Sequence, residues 1–285
     1  MAGKNILIGA EALASKLDEP DWILVDCRFD LADPEAGRAA FEKVHLPGAV
    51  YLDLETDLSG PVTAETGRHP LPDPQRLCER LGAVGISNRH NVVVYDDAHG
   101  GVAARAWWLL HWLGHDAAWL LDGGIARWRA LGLPLEVRGK ARSPARFSGK
   151  PRDELVLSTA ELTREDCAVP ELNLLDARDG ARFRGEHEPI DPVAGHIPGA
   201  ISAPFADFVA ADGTWLHVDE RRRRLLAALG ESLDAEWCVM CGSGVTACHL
   251  VVSGLEAGLR EPRVYVGSWS EWIRDEARPV AAGQS

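Results

Sequence analysis

The chain has 285 residues, 46% of them hydrophobic and 26% charged, and carries a net charge of −13. This composition excludes a disordered, collagen-like or coiled-coil chain and fits one large globular domain or two ordinary ones. Its acidity repels phosphate backbones and anionic lipid, so neither nucleic acid nor a membrane is expected as a partner.

In chain order, Ile23-Leu-Val25 and Val92-Val-Val94 read as buried strands, apolar on both sides as a parallel sheet requires. A loop with Gly100-Gly101 follows the second, and then a helical stretch from Val102 to Leu113. Residues 134–154 are rich in Pro, Gly, Ser, Arg and Lys without apolar periodicity, which predicts a linker whose basic charge suits docking against acidic domains. Beyond it, Leu174-Leu175, Val239-Met240 and Val264-Tyr-Val266 read as strands. Cys241-Gly-Ser-Gly244 is a loop, and Val245 to Leu255 is a helix. Strand, loop, helix, strand is the pattern of βαβ units. No apolar run approaches the ~20 residues that span a bilayer. The short Ile6-Leu-Ile8 run ending before Glu11 does not read as a secretory signal, so a cytoplasmic protein is expected. In a reducing compartment Cys27, Cys78, Cys167, Cys238, Cys241 and Cys248 would be thiols.

The chain repeats itself. Asp26-Cys-Arg28 returns as Asp176-Ala-Arg178, and His45-Leu-Pro-Gly48 as His196-Ile-Pro-Gly199. Val92–Asp96 returns as Trp237–Cys241, and Gly123-Gly124 with Trp128 as Gly267-Ser268 with Trp272. The offsets are 150, 151, 145 and 144 residues, in unchanged order. Four ordered matches predict a tandem duplication: an α/β chain of two similar domains, each a mainly parallel sheet flanked by helices. The boundaries expected are 1–135, a linker at 136–154, and 155–285.

The copies differ chemically at one place. The loop after the Val92 strand begins with Asp96, whereas the equivalent loop begins with Cys241. Ligands of open α/β sheets bind beyond the carboxyl ends of the strands, where Cys241 falls. Gly242 and Gly244 permit a nest of inward-pointing amides over residues 242–246, including Val245 and Thr246, and the following helix adds its positive end. Both favour a nucleophilic thiolate, or a persulfide anion, over an inert packed cysteine.

Cys241-Gly-Ser-Gly-Val-Thr-Ala247, His196-Ile-Pro-Gly-Ala200, Asp176-Ala-Arg178, Arg182-Phe-Arg-Gly185, Gly267-Ser-Trp-Ser-Glu-Trp272 and, in the first copy, Arg105-Ala-Trp-Trp108 together resemble tandem-domain rhodanese-type sulfurtransferases over nearly the whole chain. The loop is most similar to the 3-mercaptopyruvate sulfurtransferase subgroup, because thiosulfate-preferring members carry basic residues where Gly242 and Ser243 stand here. The resemblance implies a ping-pong reaction: Cys241 takes sulfur from the donor as a persulfide, and thioredoxin, another thiol or cyanide removes it. No metal or organic cofactor is implied. It assigns Ser243 to catalysis and His45 to proton handling, with Asp33, Glu35 or Glu42 as the carboxylate that orients the histidine. Arg182 would hold the donor's carboxylate, which suits the bidentate geometry of guanidinium. Two departures stand out. A second clamp arginine is replaced by Ile190 after Glu188-Pro189, and Val266 replaces an aspartate in Tyr265-Val-Gly-Ser-Trp269. The alternative functions are thiosulfate sulfurtransfer and a persulfide carrier that relays sulfur without turnover.

Other readings fare worse. A Cys-dependent phosphatase needs arginine six residues after the cysteine, where Ala247 stands. Cys238-Val-Met-Cys241 has dithiol spacing, but Cys238 belongs to the preceding strand. His111 and His115 have helical spacing without the metalloprotease glutamate, and Gly114 is expected to end that helix. Arg221–Arg224 reads as the solvated face of a helix.

Overall fold

The computed structural model of the protein describes residues 3–137, 142–164, 169–232 and 234–283. Its first half contains strands β1 (Leu7–Ile8), β2 (Trp22–Asp26), β3 (Val50–Tyr51), β4 (Asn91–Tyr95) and β5 (Ala118–Leu121). The second half contains β6 (Val156–Leu157), β7 (Leu174–Asp176), β8 (Ile201–Ser202), β9 (Cys238–Met240) and β10 (Arg263–Tyr265). The sheets have the orders β1-β5-β4-β2-β3 and β6-β10-β9-β7-β8, the same topology twice, with every neighbouring pair parallel. The expected pair of α/β domains is therefore present.

Because successive strand residues face opposite sides, each sheet feeds two cores. Leu24, Val93 and Tyr95 face an outer cluster with Leu13 and Trp128. In the second sheet Leu174, Met240 and Tyr265 face another, with Trp269 and Trp272. The opposite faces supply a single cluster shared by the two halves. It runs from Val25, Val92 and Val94 to Leu175, Val239 and Val264. Between lie the helices that follow the central strands: Ala103–Trp112, buried at every position, and Ala247–Glu256, buried from Ala247 to Leu255. A helix that is apolar all round must be covered on all sides. Each of these two is covered by its own sheet and by the other.

The repeated Asp-x-Arg motif is structural. At the ends of β2 and β7, Arg28 and Arg178 pair through Nε and Nη2 with Asp26 and Asp176, all fully or nearly fully buried. The remaining Nη2 capacity reaches the carbonyls of Val44 and Gly195, which fixes the segments entering β3 and β8.

The segment around residues 142–152 lies against the first domain, held by backbone bonds and packing as well as charge. Ala145 N donates to Gly82 O, Lys150 N to Leu113 O, and Phe147 is buried; Arg152 also pairs with Asp116. The basic run in helix Val218–Ala228 is not wholly solvated. Arg221 is buried, ion-paired with Glu256 and set over Trp215, because it faces the second helix of the shared core. Cys167 lies outside the described residues. His111 ends its helix near Gly114 as expected and bridges Asp116 and Glu261, tying one domain to the other.

Candidate active site

Cys241 follows β9 directly and is 2% exposed. Its amide donates to Ser268 Oγ at 3.1 Å, and its carbonyl accepts from Trp269 N at 3.0 Å. Ser268 adopts φ +54°, a left-handed conformation rare outside glycine; it stands where the first domain has Gly124 at φ +53°. Gly244 has φ +74°, and a Cβ there would lie 2.5 Å from the Val266 carbonyl, so the loop needs glycine at this point. Gly242 has a different reason: its missing Cβ leaves space for guanidinium groups approaching from above.

The sister loop, one residue longer between its strand and its helix, gathers backbone amides around a carboxylate. Asp96 carboxylate oxygens accept from the amides of Ala98, Gly100, Val102 and Ala103 at 2.8–2.9 Å. The first copy thus satisfies its anion nest internally, with a carboxylate at the position where the second has a thiol.

Three first-domain residues reach this loop. His69 Nδ1 lies 2.7 Å from Ser243 Oγ, and both residues are buried. Burial, reinforced by Arg105 and Arg68, lowers the pKa of His69 to about 3, so its imidazole is neutral at physiological pH. Arg105 is completely buried; Nη1 donates to Gly244 O at 3.2 Å and Nη2 to His69 O at 3.3 Å. Its charge is close enough to act on both Cys241 and Cys248. Burial nevertheless pushes Cys248 up to about 12, leaving it an unreactive thiol. The third residue, Arg68, points over Gly242 from a loop stitched to the second domain: Arg68 N donates to Ser270 Oγ, Gly67 N to Glu271, and Arg274 Nε to Thr66 O.

Of the residues singled out in the sequence, the structure brings together Cys241, Gly242, Ser243, Gly244, Val245, Thr246 and Arg182. Val245 is buried, and Thr246 occupies the position before the following helix without a side-chain capping bond. Arg182 lies within reach of Gly242 and is held by Glu188 at 3.0 Å. His45 is elsewhere. Its Nδ1 bonds Phe41 O, its ring stacks on Phe41 at 4.1 Å, and its backbone pairs with Glu136. His196 does the same with Phe183 and Ala281. A contact repeated in both domains belongs to the fold, and the histidine at the cysteine loop is His69 instead. The sequence signal for it was Gly67-Arg-His-Pro70, a loop with no counterpart motif in the second copy.

The Rhodanese-like domain profile matches residues 9–131 and again 159–275. The chain belongs to the rhodanese-like family. It is 51% identical, over 97% of its length and 98% of the relative's, to a Pseudomonas aeruginosa protein named "Probable 3-mercaptopyruvate sulfurtransferase". It is 38% identical, with 98% of each chain covered, to a Mycobacterium tuberculosis protein named among the thiosulfate sulfurtransferases. The crystal structure of Escherichia coli SseA, described as a 3-mercaptopyruvate sulfotransferase, superposes with a TM-score of 0.81 at 29% identity, covering 94% of this chain and all of that one. The rhodanese-like duplication accounts for both sheets and for the paired loops at Asp96 and Cys241. No helix among the described residues is long and apolar enough to cross a membrane.

Proposed function

We propose that this chain is a sulfurtransferase that takes the sulfur of 3-mercaptopyruvate onto Cys241 and passes it to a thiol, such as thioredoxin, or to cyanide. The observation that carries this reading is the cysteine at the head of a strand-to-helix loop whose first-domain counterpart binds a carboxylate, beside a buried Ser243–His69 pair. A supporting comparison is the name of the relative with 51% identity.

The Cys241 thiolate attacks the donor sulfur, forming an S–S bond as the C–S bond breaks. The bonding electrons leave on the methylene carbon as the enolate of pyruvate. The donor's thiol proton ends on that carbon, and the enzyme retains the persulfide anion, so charge and atoms balance. In this scheme Ser243 gives its proton to the enolate carbon and is reprotonated by the proton that came in on the donor thiol. In the tautomer this step needs, Nδ1–H of neutral His69 donates to Ser243 Oγ, which orients the hydroxyl and leaves its hydrogen free for the enolate. The loop amides and the helix Ala247–Glu256 stabilise the persulfide anion as the Asp96 loop stabilises its carboxylate. An acceptor nucleophile then attacks the outer sulfur and regenerates the thiolate.

In this reading residues 155–285 carry the nucleophile and residues 1–135 form the other wall of the cleft. The free thiols of Cys27, Cys78, Cys241 and Cys248 suit a reducing, cytoplasmic setting. Thiosulfate is the second donor to consider, because Arg68 and Arg182 converge over Gly242 and would attract a dianion. Its leaving sulfite needs no proton, however, and leaves the Ser243–His69 pair idle. Steady-state turnover with both donors tests the choice: the expected result is a higher kcat/KM for 3-mercaptopyruvate. A preference for thiosulfate would reverse the order of donors.

A further inference from the structure

Arg68 and Arg182 come from different domains, yet their guanidinium groups meet above the cysteine loop. A Cβ built on Gly242 would lie 2.9 Å from Arg68 Nη2, and 3.6 and 3.7 Å from the two terminal nitrogens of Arg182. Between them sits the carboxylate of Asp191, with a side chain only 3% exposed. Its Oδ1 accepts from Arg68 Nη1, and its Oδ2 accepts from Arg182 Nη2 at 3.1 Å. Arg182 has a second anionic partner in Glu188, which also accepts from the amides of Ile190 and Asp191 and so fixes the turn that presents Asp191. Arg68 is less completely served, because its Nε is buried without a hydrogen-bond acceptor among the described residues. Ile190, which takes the place of an arginine in the expected clamp, is 43% exposed and contributes no charge.

We propose that Arg68 supplies the second half of the donor-carboxylate clamp across the domain interface, and that Asp191 is a latch occupying this clamp until a donor carboxylate replaces it. The proposal rests on the reading of Cys241 as the sulfur-accepting nucleophile. A carboxylate held by two guanidinium groups is the arrangement an α-keto acid would need. Exchange of Asp191 for the donor keeps the two half-buried arginines compensated, so neither cation is left without an anion. A neutral thiol cannot displace Asp191, which makes anionic charge a condition of entry. Return of Asp191 would favour release of pyruvate. Burial pushes the Asp191 carboxyl above its usual range, with Arg68 and Arg182 opposing, as fits a group that can be displaced.

The test uses the full chain with pyruvate as the probe, its affinity read by calorimetry, alongside KM and kcat for 3-mercaptopyruvate. Asp191→Asn keeps the shape of the latch and removes its charge. It should tighten pyruvate binding and lower KM by about tenfold, the order expected from one charge-assisted hydrogen bond. Arg68→Met should weaken pyruvate binding and raise KM by about the same factor, with the larger part of the effect in KM rather than in kcat. If Asp191 merely staples the domains, Asp191→Asn will lower Tm without tightening pyruvate, and that result overturns the latch. Should Asp191→Asn fail to fold, Arg68→Met decides: unchanged pyruvate affinity overturns the proposal, and weakened affinity supports it. A wild-type chain that forms no persulfide from 3-mercaptopyruvate overturns the underlying reading as well. Normal turnover with ligand affinities insensitive to both variants overturns this inference alone.

Discussion

Ser243 and His69 share one buried hydrogen bond across 174 residues of chain. Because burial and two nearby cations hold His69 at about 3, the imidazole of the pair is neutral, and in the proposed reaction the proton comes from Ser243. Ser243→Ala should therefore lower kcat/KM for 3-mercaptopyruvate by roughly 10²–10⁴-fold, the usual worth of a general acid–base group, while removal of sulfur from a preformed persulfide by cyanide stays near the wild-type rate. The same depressed value has a stability consequence of definite sign. Between about pH 6.5 and pH 3 the unfolded chain binds a proton at this position and the folded chain does not. The contribution is present above that window and is lost as pH falls through it. Urea melts at pH 7 and pH 5 should show His69→Asn losing less stability on acidification than wild type; an equal or larger loss would contradict the assignment. His45 was the more conspicuous histidine in the sequence because His-x-Pro-Gly occurs twice. That recurrence marks a shared turn of the fold. The contact of His69 with Ser243 exists only once the domains are docked, which no local motif encodes.

At the scale of single elements, the loop from Cys241 to the following helix depends on backbone conformation more than on side chains. Gly244→Ala would place a Cβ 2.5 Å from the Val266 carbonyl at a φ of +74°. The expected cost is about 1–3 kcal/mol, the scale of a residue forced into a sparsely populated region, read by denaturant unfolding together with a loss of turnover. In the sister loop, Asp96→Ala would strip four amides of their acceptor, three of them buried. A loss of at least about 3 kcal/mol is expected, since one hydrogen bond to a charged group is worth about half of that or more. A stability change under about 1 kcal/mol would show that these amides do not need an anion. The βαβ elements were legible beforehand because their apolar runs are continuous and their punctuating glycines are local. The distinction between Gly242 and Gly244 was not. Gly244 is demanded by its φ, whereas at Gly242 a Cβ would meet only the movable ends of arginines from distant segments, and the two look alike in sequence.

Across the whole molecule, the first domain supplies Arg68, His69 and Arg105 to a site whose cysteine lies in the second. Gly67 makes this possible, since a Cβ there would stand 2.5 Å from the Gly267 carbonyl and 2.8 Å from Ser270 Oγ. Gly67→Ala should shift the loop that carries Arg68 and His69 and reduce kcat/KM by about tenfold or more, as small misplacements of positioning groups do. Tm should change little, because the shared core around Trp108 and Val251 is untouched. Wild-type kinetics in this variant would mean that the loop's seat on the second domain is unimportant. The duplication was visible in the sequence from four ordered matches; the cross-domain clamp was not, since positions 68, 182 and 191 are joined only by the docking of two sheets. The central claim is that Cys241 alone carries the transferred sulfur. Mass spectrometry of the intact chain and its peptides after treatment with 3-mercaptopyruvate tests it most directly. One added sulfur atom is expected on the peptide containing Cys241, absent in Cys241→Ser and removable by cyanide. Sulfur on Cys248 or another peptide, or undiminished turnover in Cys241→Ser, would contradict it.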